Sequence, residues 1–173
     1  MHSKILLIIF LNLFLVNLSF ASNIVFVDLN FIINNSILGK NVIKKLDDQN
    51  KKNLDLLKNE QLILNNEKDE IDKTKNITSK EKLDEKIKIF NNKLQNFNKK
   101  QDLLSNEFKE LRQTEMSKLI NKINPIIEQY MIENKIDLML KKDSIYISKT
   151  DYDASKAIIE LIDKNISNWW PSF

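Results

Sequence analysis

Residues 83–118 read LDEKIKIFNNKLQNFNKKQDLLSNEFKELRQTEMSK. Within them Leu83, Ile87, Phe90, Leu94, Phe97, Gln101, Leu104, Phe108, Leu111, Glu115 and Lys118 recur at strict steps of four and three residues. Eight of these eleven positions are apolar. That regularity predicts a coiled-coil seam, narrower than the broad apolar stripe of a helix in a globular domain. A seam of this kind needs a second helix to pack against.

The partner lies upstream. Ile43, Leu54, Leu57, Leu64 and Ile71 hold alternate heptad a and d positions, with Asp47, Asn50, Gln61 and Lys68 in the others. Between the two runs, Thr78 and Glu81 have the T-x-x-E spacing of a capping box, which predicts a fresh helix start. Two heptad helices joined by a short polar turn fold back as an antiparallel hairpin. At 1.5 Å per residue, arms of roughly 35–40 residues would reach ~50–60 Å, so residues 41–124 read as a projecting arm.

Composition agrees. The 173 residues contain one glycine, two prolines and no cysteine, with 29% charged and 42% hydrophobic. Gly39, expected to allow a tight turn out of the body, and Pro125, expected to kink or restart the returning helix, flank the arm. Glycine-rich phosphate loops, disulfides and cysteine-ligated metals are excluded. Residues 1–21 (MHSK, an apolar run, then Ser19-Phe20-Ala21) read as a signal peptide cut after Ala21, with an uncleaved anchor as the alternative. Removing them takes away His2, the single histidine, so His-based acid–base and nucleophilic catalysis lose their usual residue. No enzyme and no cofactor or metal are expected. Lys4 leaves too, which lowers a net charge of +3 by one and does not suggest nucleic-acid binding.

The ends of the chain predict a small body, residues 22–40 and 125–173. Ile24, Val25, Phe26 and Val27, ending at Asp28, form a first strand, and residues 136–140 and 144–148 form two more around Lys141-Lys142-Asp143. Asn134 suits a left-handed helix stop, and Asp153 a cap for a last helix over about 154–167. Three short strands cannot bury an adequate core, so association between copies is expected through Ile24, Val25, Phe26, Val27, Leu138, Met139, Leu140, Ile145, Tyr146 and Ile147.

The strand Ile24 to Asp28, the element Ser36-x-x-Gly39-Lys40, and the segments Ile123-Asn124-Pro125-Ile126-Ile127 and Asn134 to Tyr146 resemble the Skp/OmpH family of periplasmic chaperones. With the signal segment and the central coiled coil, the resemblance spans nearly the whole chain. It implies a mainly α fold with a small β body, in which the strands of three subunits close a central β-barrel and three helical hairpins surround a cavity. It also implies ATP-independent holding of unfolded outer-membrane β-barrel proteins in the periplasm. The sequence departs from the family pattern at Asp151-Tyr152-Asp153-Ala154-Ser155 and in the tail Trp169-Trp170-Pro171-Ser172-Phe173, which would pack on the body or meet a membrane interface.

A holdase needs a diffuse apolar surface. Leu56 and Ile63 share heptad position c on the first arm, Ile89 and Leu103 share it on the second, and Leu62 and the tip residue Ile77 add to them. These six either line a client cavity or widen the seam. Phe90, Phe97 and Phe108 sit on the seam and read as core. A membrane or lipopolysaccharide contact has the arm lysines behind it, among them Lys80, Lys82, Lys86 and Lys88, but Glu81, Asp84 and Glu85 offset these, which reads as a solvated face. A structural tether of the envelope built on the same coiled coil is the alternative reading.

Overall fold

The computed structural model describes residues 22–166; residues 1–21, read above as a signal peptide, and the tail with Trp169 and Trp170 lie outside them. The order is β1 (Ile24–Val27), α1 (Leu29–Asn35), α2 (Ile37–Thr74), α3 (Lys80–Glu133), β2 (Leu138–Lys141) and α4 (Ser155–Ile166), with single 3-10 turns at Lys142–Ser144 and Thr150–Tyr152. β1 and β2 pair in parallel, Ile24 level with Leu138 and Val27 with Lys141. Parallel neighbours need a long crossover, and here the entire helical hairpin supplies it.

α1 and α2 each start where a polar side chain satisfies a free N–H group. Asp28 Oδ1 accepts from the Phe31 N–H at 2.9 Å and starts α1. The hydroxyl of Ser36, a fully buried residue, accepts from the Gly39 N–H at 3.1 Å and starts α2. The Ile37 N–H donates to Asp163 of α4 at 2.8 Å, which ties the arm root to the last helix. At the far end of α3, Lys135 takes the left-handed conformation at φ 52°, and the Asn23 side-chain amide donates to the Asn134 and Lys135 carbonyls. The left-handed stop is therefore one residue beyond Asn134, whose φ is −100°.

The core lies in the body. Val27, Ile32, Ile33, Leu38, Leu119, Ile123, Ile126, Ala154, Ile158 and Ile162 form one buried cluster, so the root of α3 is part of it. From there α2 and α3 run out as an antiparallel pair, and at 1.5 Å per residue their 38 and 54 residues span about 57 and 81 Å.

Several expectations are corrected. Gly39 lies inside α2, with no positive φ, and makes no turn; a Cβ there would stand 1.9 Å from the Ile33 carbonyl oxygen, so the glycine permits α1 and α2 to touch backbone to backbone. Of the two expectations for Pro125, a kink or a restart, the restart is not seen: α3 runs through it although the Asn121 carbonyl loses its helical donor. The capping box does not form: α3 starts at Lys80 with Ser79 as its N-cap and without a side-chain cap bond. The third strand, 144–148, is not formed. The second edge of β1 is taken by a bridge from Phe26 to Asp153 and by the Ala154 N–H donating to the Phe26 carbonyl at 2.9 Å, and residues 144–148 pair with neither β1 nor β2. Tyr146 and Ile147 stand exposed there and Ile145 is half-buried. Of the remaining residues expected to join copies, Phe26 and Val27 are buried in their own chain, Val25 and Met139 partly so, and Ile24, Leu138 and Leu140 are exposed.

Candidate functional site

Ion pairs fix the register of the arm. Lys45 meets Glu115 at 3.0 Å, Glu60 meets Lys100 at 2.8 Å, and Glu67 meets Lys93. Fifteen residues separate Lys45 from Glu60 and Lys100 from Glu115, and seven separate Glu60 from Glu67 and Lys93 from Lys100. The two helices therefore stay in step along the arm without slippage. Glu60, Glu67, Lys93 and Lys100 all hold heptad position g.

This changes which residues pack. Leu64 and Phe97, both at d, are buried at 4% and 7%, and Leu57, Ile71, Leu83, Phe90, Leu104 and Leu111 at d are half-buried. Among the a positions Phe108 is half-buried, whereas Leu54 is 57% exposed and Ile87 and Leu94 lie open. Along α2 the contact face is thus d with g, while α3 meets it with its d row, joined at the root by the a residues Phe108 and Glu115, in place of a with d throughout. The α2 a positions Gln61 and Lys68 would leave an amide and an ammonium against apolar residues, whereas Glu60 and Glu67 at g on α2 meet Lys100 and Lys93 at g on α3.

With d and g turned inward, position c falls on the border of the contact. Leu56, Ile63 and Ile89 each precede a paired g residue by four, one helical turn, and Leu103 follows Lys100 by three. All four are exposed and border the same row of ion pairs. Ile63, Ile71, Ile89 and Phe90, with Glu67 and Lys93, line a hollow of about 410 Å³ on this side. Leu62, one residue before Ile63 and so about 100° around the helix, is exposed on a different face. Ile77, 84% exposed, caps the tip turn.

Two charge clusters hold the body and the arm root. Glu115, nearly buried, receives Lys45 at 3.0 Å and Lys118 at 3.3 Å; the Lys45 hydrogen bond, ahead of the opposing effect of burial, holds its carboxyl below the usual range. Asp28 takes the Lys142 ammonium at 2.9 Å, which with the Phe31 N–H lowers its pKa, and Asp28 in turn raises that of Lys142. The Asp28 N–H donates to the Ser155 hydroxyl at 2.8 Å, and that hydroxyl donates to Asp153. Sequence reasoning assigned Asp28 to strand termination and did not find this network, because its partners lie more than a hundred residues away. Among the described residues no cluster of His, Asp or Glu is placed to hold a metal ion.

The described residues thus form a small α/β body from which one long helical hairpin projects, with Leu56, Ile63, Ile89 and Leu103 exposed along one side of it. The chain belongs to the OmpH-like family, described as outer membrane protein (OmpH-like), whose model matches residues 23–162. It is similar in fold to an OmpH-like protein from Caulobacter crescentus CB15, provisionally described as an outer membrane chaperone, with a TM-score of 0.77 and 19% identity over 88% of this chain and 89% of that one. No curated protein matches the chain in sequence. No helix among the described residues is long and apolar enough to cross a membrane.

Proposed function

We propose that the protein is an ATP-independent holdase of the periplasm, exported by residues 1–21, which keeps unfolded outer-membrane β-barrel proteins from aggregating in a cavity between the arms of a homotrimer. The observation that carries this reading is the set Leu56, Ile63, Ile89 and Leu103, four apolar side chains exposed on one side of the arm, outside its buried seam. Exposed apolar groups in such a row are costly for a soluble protein and mark an interaction surface. Spread along a helical ribbon, they give many weak contacts in place of one shaped pocket, which suits binding many sequences and letting them go. Membership of the OmpH-like family and the fold shared with an OmpH-like protein support the reading.

Trimerisation is supported by the apolar side chains left open at the body. Leu138 and Leu140 on β2, with Tyr146 and Ile147 beyond it, give an apolar edge that strands of other copies would cover.

The test is to dilute a urea-unfolded outer-membrane barrel protein into the purified protein without nucleotide. A soluble complex of defined mass is expected. Precipitation of the client at the rate seen in buffer alone would refute the proposal.

A further inference from the structure

The hollow on this side of the arm has an apolar wall and a charged rim, and each limits what can fill it. Ile63 and Ile71 of α2 line the wall with Ile89 and Phe90 of α3. Ile71 and Phe90 are half-buried in the arm, while Ile63 and Ile89 stand 57% and 49% exposed. At about 410 Å³ the space is near the lower end of the ~300–1,000 Å³ of sites that hold one small molecule, so it has room for one large side chain and not for a folded segment.

The rim carries both signs of charge, Glu67 and Glu70 on the α2 side and Lys86 and Lys93 on the α3 side. A carboxylate or an ammonium entering the hollow would meet like charge as well as unlike, and would lose water against the apolar wall, so a neutral group fits best. Glu67 is engaged by Lys93, whereas Glu70 has only a loose contact with its neighbour Lys73, at 3.6 Å between side chains that are 71% and 72% exposed. The Glu70 carboxylate therefore keeps acceptor capacity for an O–H or N–H donor. Lys86 takes part in none of the ion pairs among the described residues, and an ammonium is attracted to the face of an aromatic ring. A large neutral side chain with a π face and one donor at its edge matches wall, acid and lysine together, and this describes tyrosine and tryptophan.

Resting on the reading of this side as the client surface, we propose that the hollow is a subsite for a single tyrosine or tryptophan side chain of the client. The ring lies against Ile63, Ile89 and Phe90, and its O–H or N–H donates to Glu70. Outer-membrane barrel strands carry such residues: they alternate apolar-out and polar-in, and the outward band is flanked by girdles of aromatic residues at both interfaces. An extended client segment can seat one aromatic residue in the hollow while its same-face neighbours, ~6.8 Å away on either side, lie along the arm.

Short dye-labelled peptides of one alternating apolar and polar sequence, varied at a single central apolar position among tyrosine, tryptophan, phenylalanine, leucine and serine, test this by fluorescence anisotropy with the full chain. Tyrosine and tryptophan are expected to bind at least about fivefold tighter than leucine, with phenylalanine between them and serine weakest. Ile63→Ser with Ile89→Ser should remove the preference; both side chains are exposed, so far-UV circular dichroism should show the arm still folded. Glu70→Ala should bring tyrosine down to the level of phenylalanine, and Lys86→Met should narrow the gap between phenylalanine and leucine. Equal binding of the tyrosine and leucine peptides, no binding of any, or a preference that survives the loss of both isoleucines would overturn the proposal. Holding of an unfolded barrel protein by the same preparations separates the two ideas: retained holding without aromatic preference sinks this inference alone, and aromatic preference without holding sinks the holdase reading alone.

Discussion

A methyl group on Gly39 would stand 1.9 Å from the carbonyl oxygen of Ile33, closer than any side chain can approach a backbone atom. The contact joins α1 to the first turn of α2 and sets the direction in which the arm leaves the body. Gly39→Ala should therefore destabilise by about 2 kcal/mol or more despite its gain in helix propensity, because backbone must move to admit the methyl. Urea unfolding followed by far-UV circular dichroism checks this, and an unchanged midpoint would show that the two helices part at little cost.

The arm seam should respond unevenly. Leu64→Ala and Phe97→Ala remove buried d residues and should cost about 2–4 kcal/mol each, whereas Leu54→Ala, at an a position 57% exposed, should cost less than about 1 kcal/mol. Equal losses at Leu54 and Leu64 in urea titrations would restore the a/d seam.

Removing the charge of Glu115 should loosen the root of the arm. Glu115→Gln loses two charge-assisted hydrogen bonds whose lysines are more than half exposed, so a loss of only about 1 kcal/mol is expected, with faster amide exchange around Leu111–Leu119. Unaltered exchange there would mean that packing alone holds the root.

Stability should fall at both ends of the pH scale. Asp28 and Glu115 are held below their ordinary values of 3.8 and 4.5, so their contribution is complete above those values and is lost as the pH falls through the lowered folded ones. Lys142 is raised above 10.5, so its contribution is complete below that value and is lost as the pH rises through the raised one. In Lys142→Met the alkaline decline should shrink, and Asp28 should titrate closer to 3.8 by NMR. A pH profile identical to that of the unmodified protein would contradict the pairing.

The hairpin was legible in the sequence because heptads repeat locally and over a long stretch. The choice between a/d and g/d contact was not, since it depends on which row of one helix meets which row of the other. Glu60, Glu67, Lys93 and Lys100 decide that only once the two helices are in register. Gly39 and Asp28 were visible as unusual residues, but their roles depend on Ile33, Lys142 and Ser155, which the fold brings to them. Residues 144–148 have the composition of a strand, yet a strand is a property of a pair, and no strand among the described residues pairs with them. The four c residues were found from heptad position; that they border one row of ion pairs was not.

The most direct test of the central claim is aggregation of an unfolded outer-membrane barrel protein in the presence of the variant carrying Leu56→Ser, Ile63→Ser, Ile89→Ser and Leu103→Ser. All four side chains are exposed, so helicity and oligomer mass should be retained. The account predicts that suppression of aggregation is lost while both are unchanged; full suppression by the folded variant would contradict it.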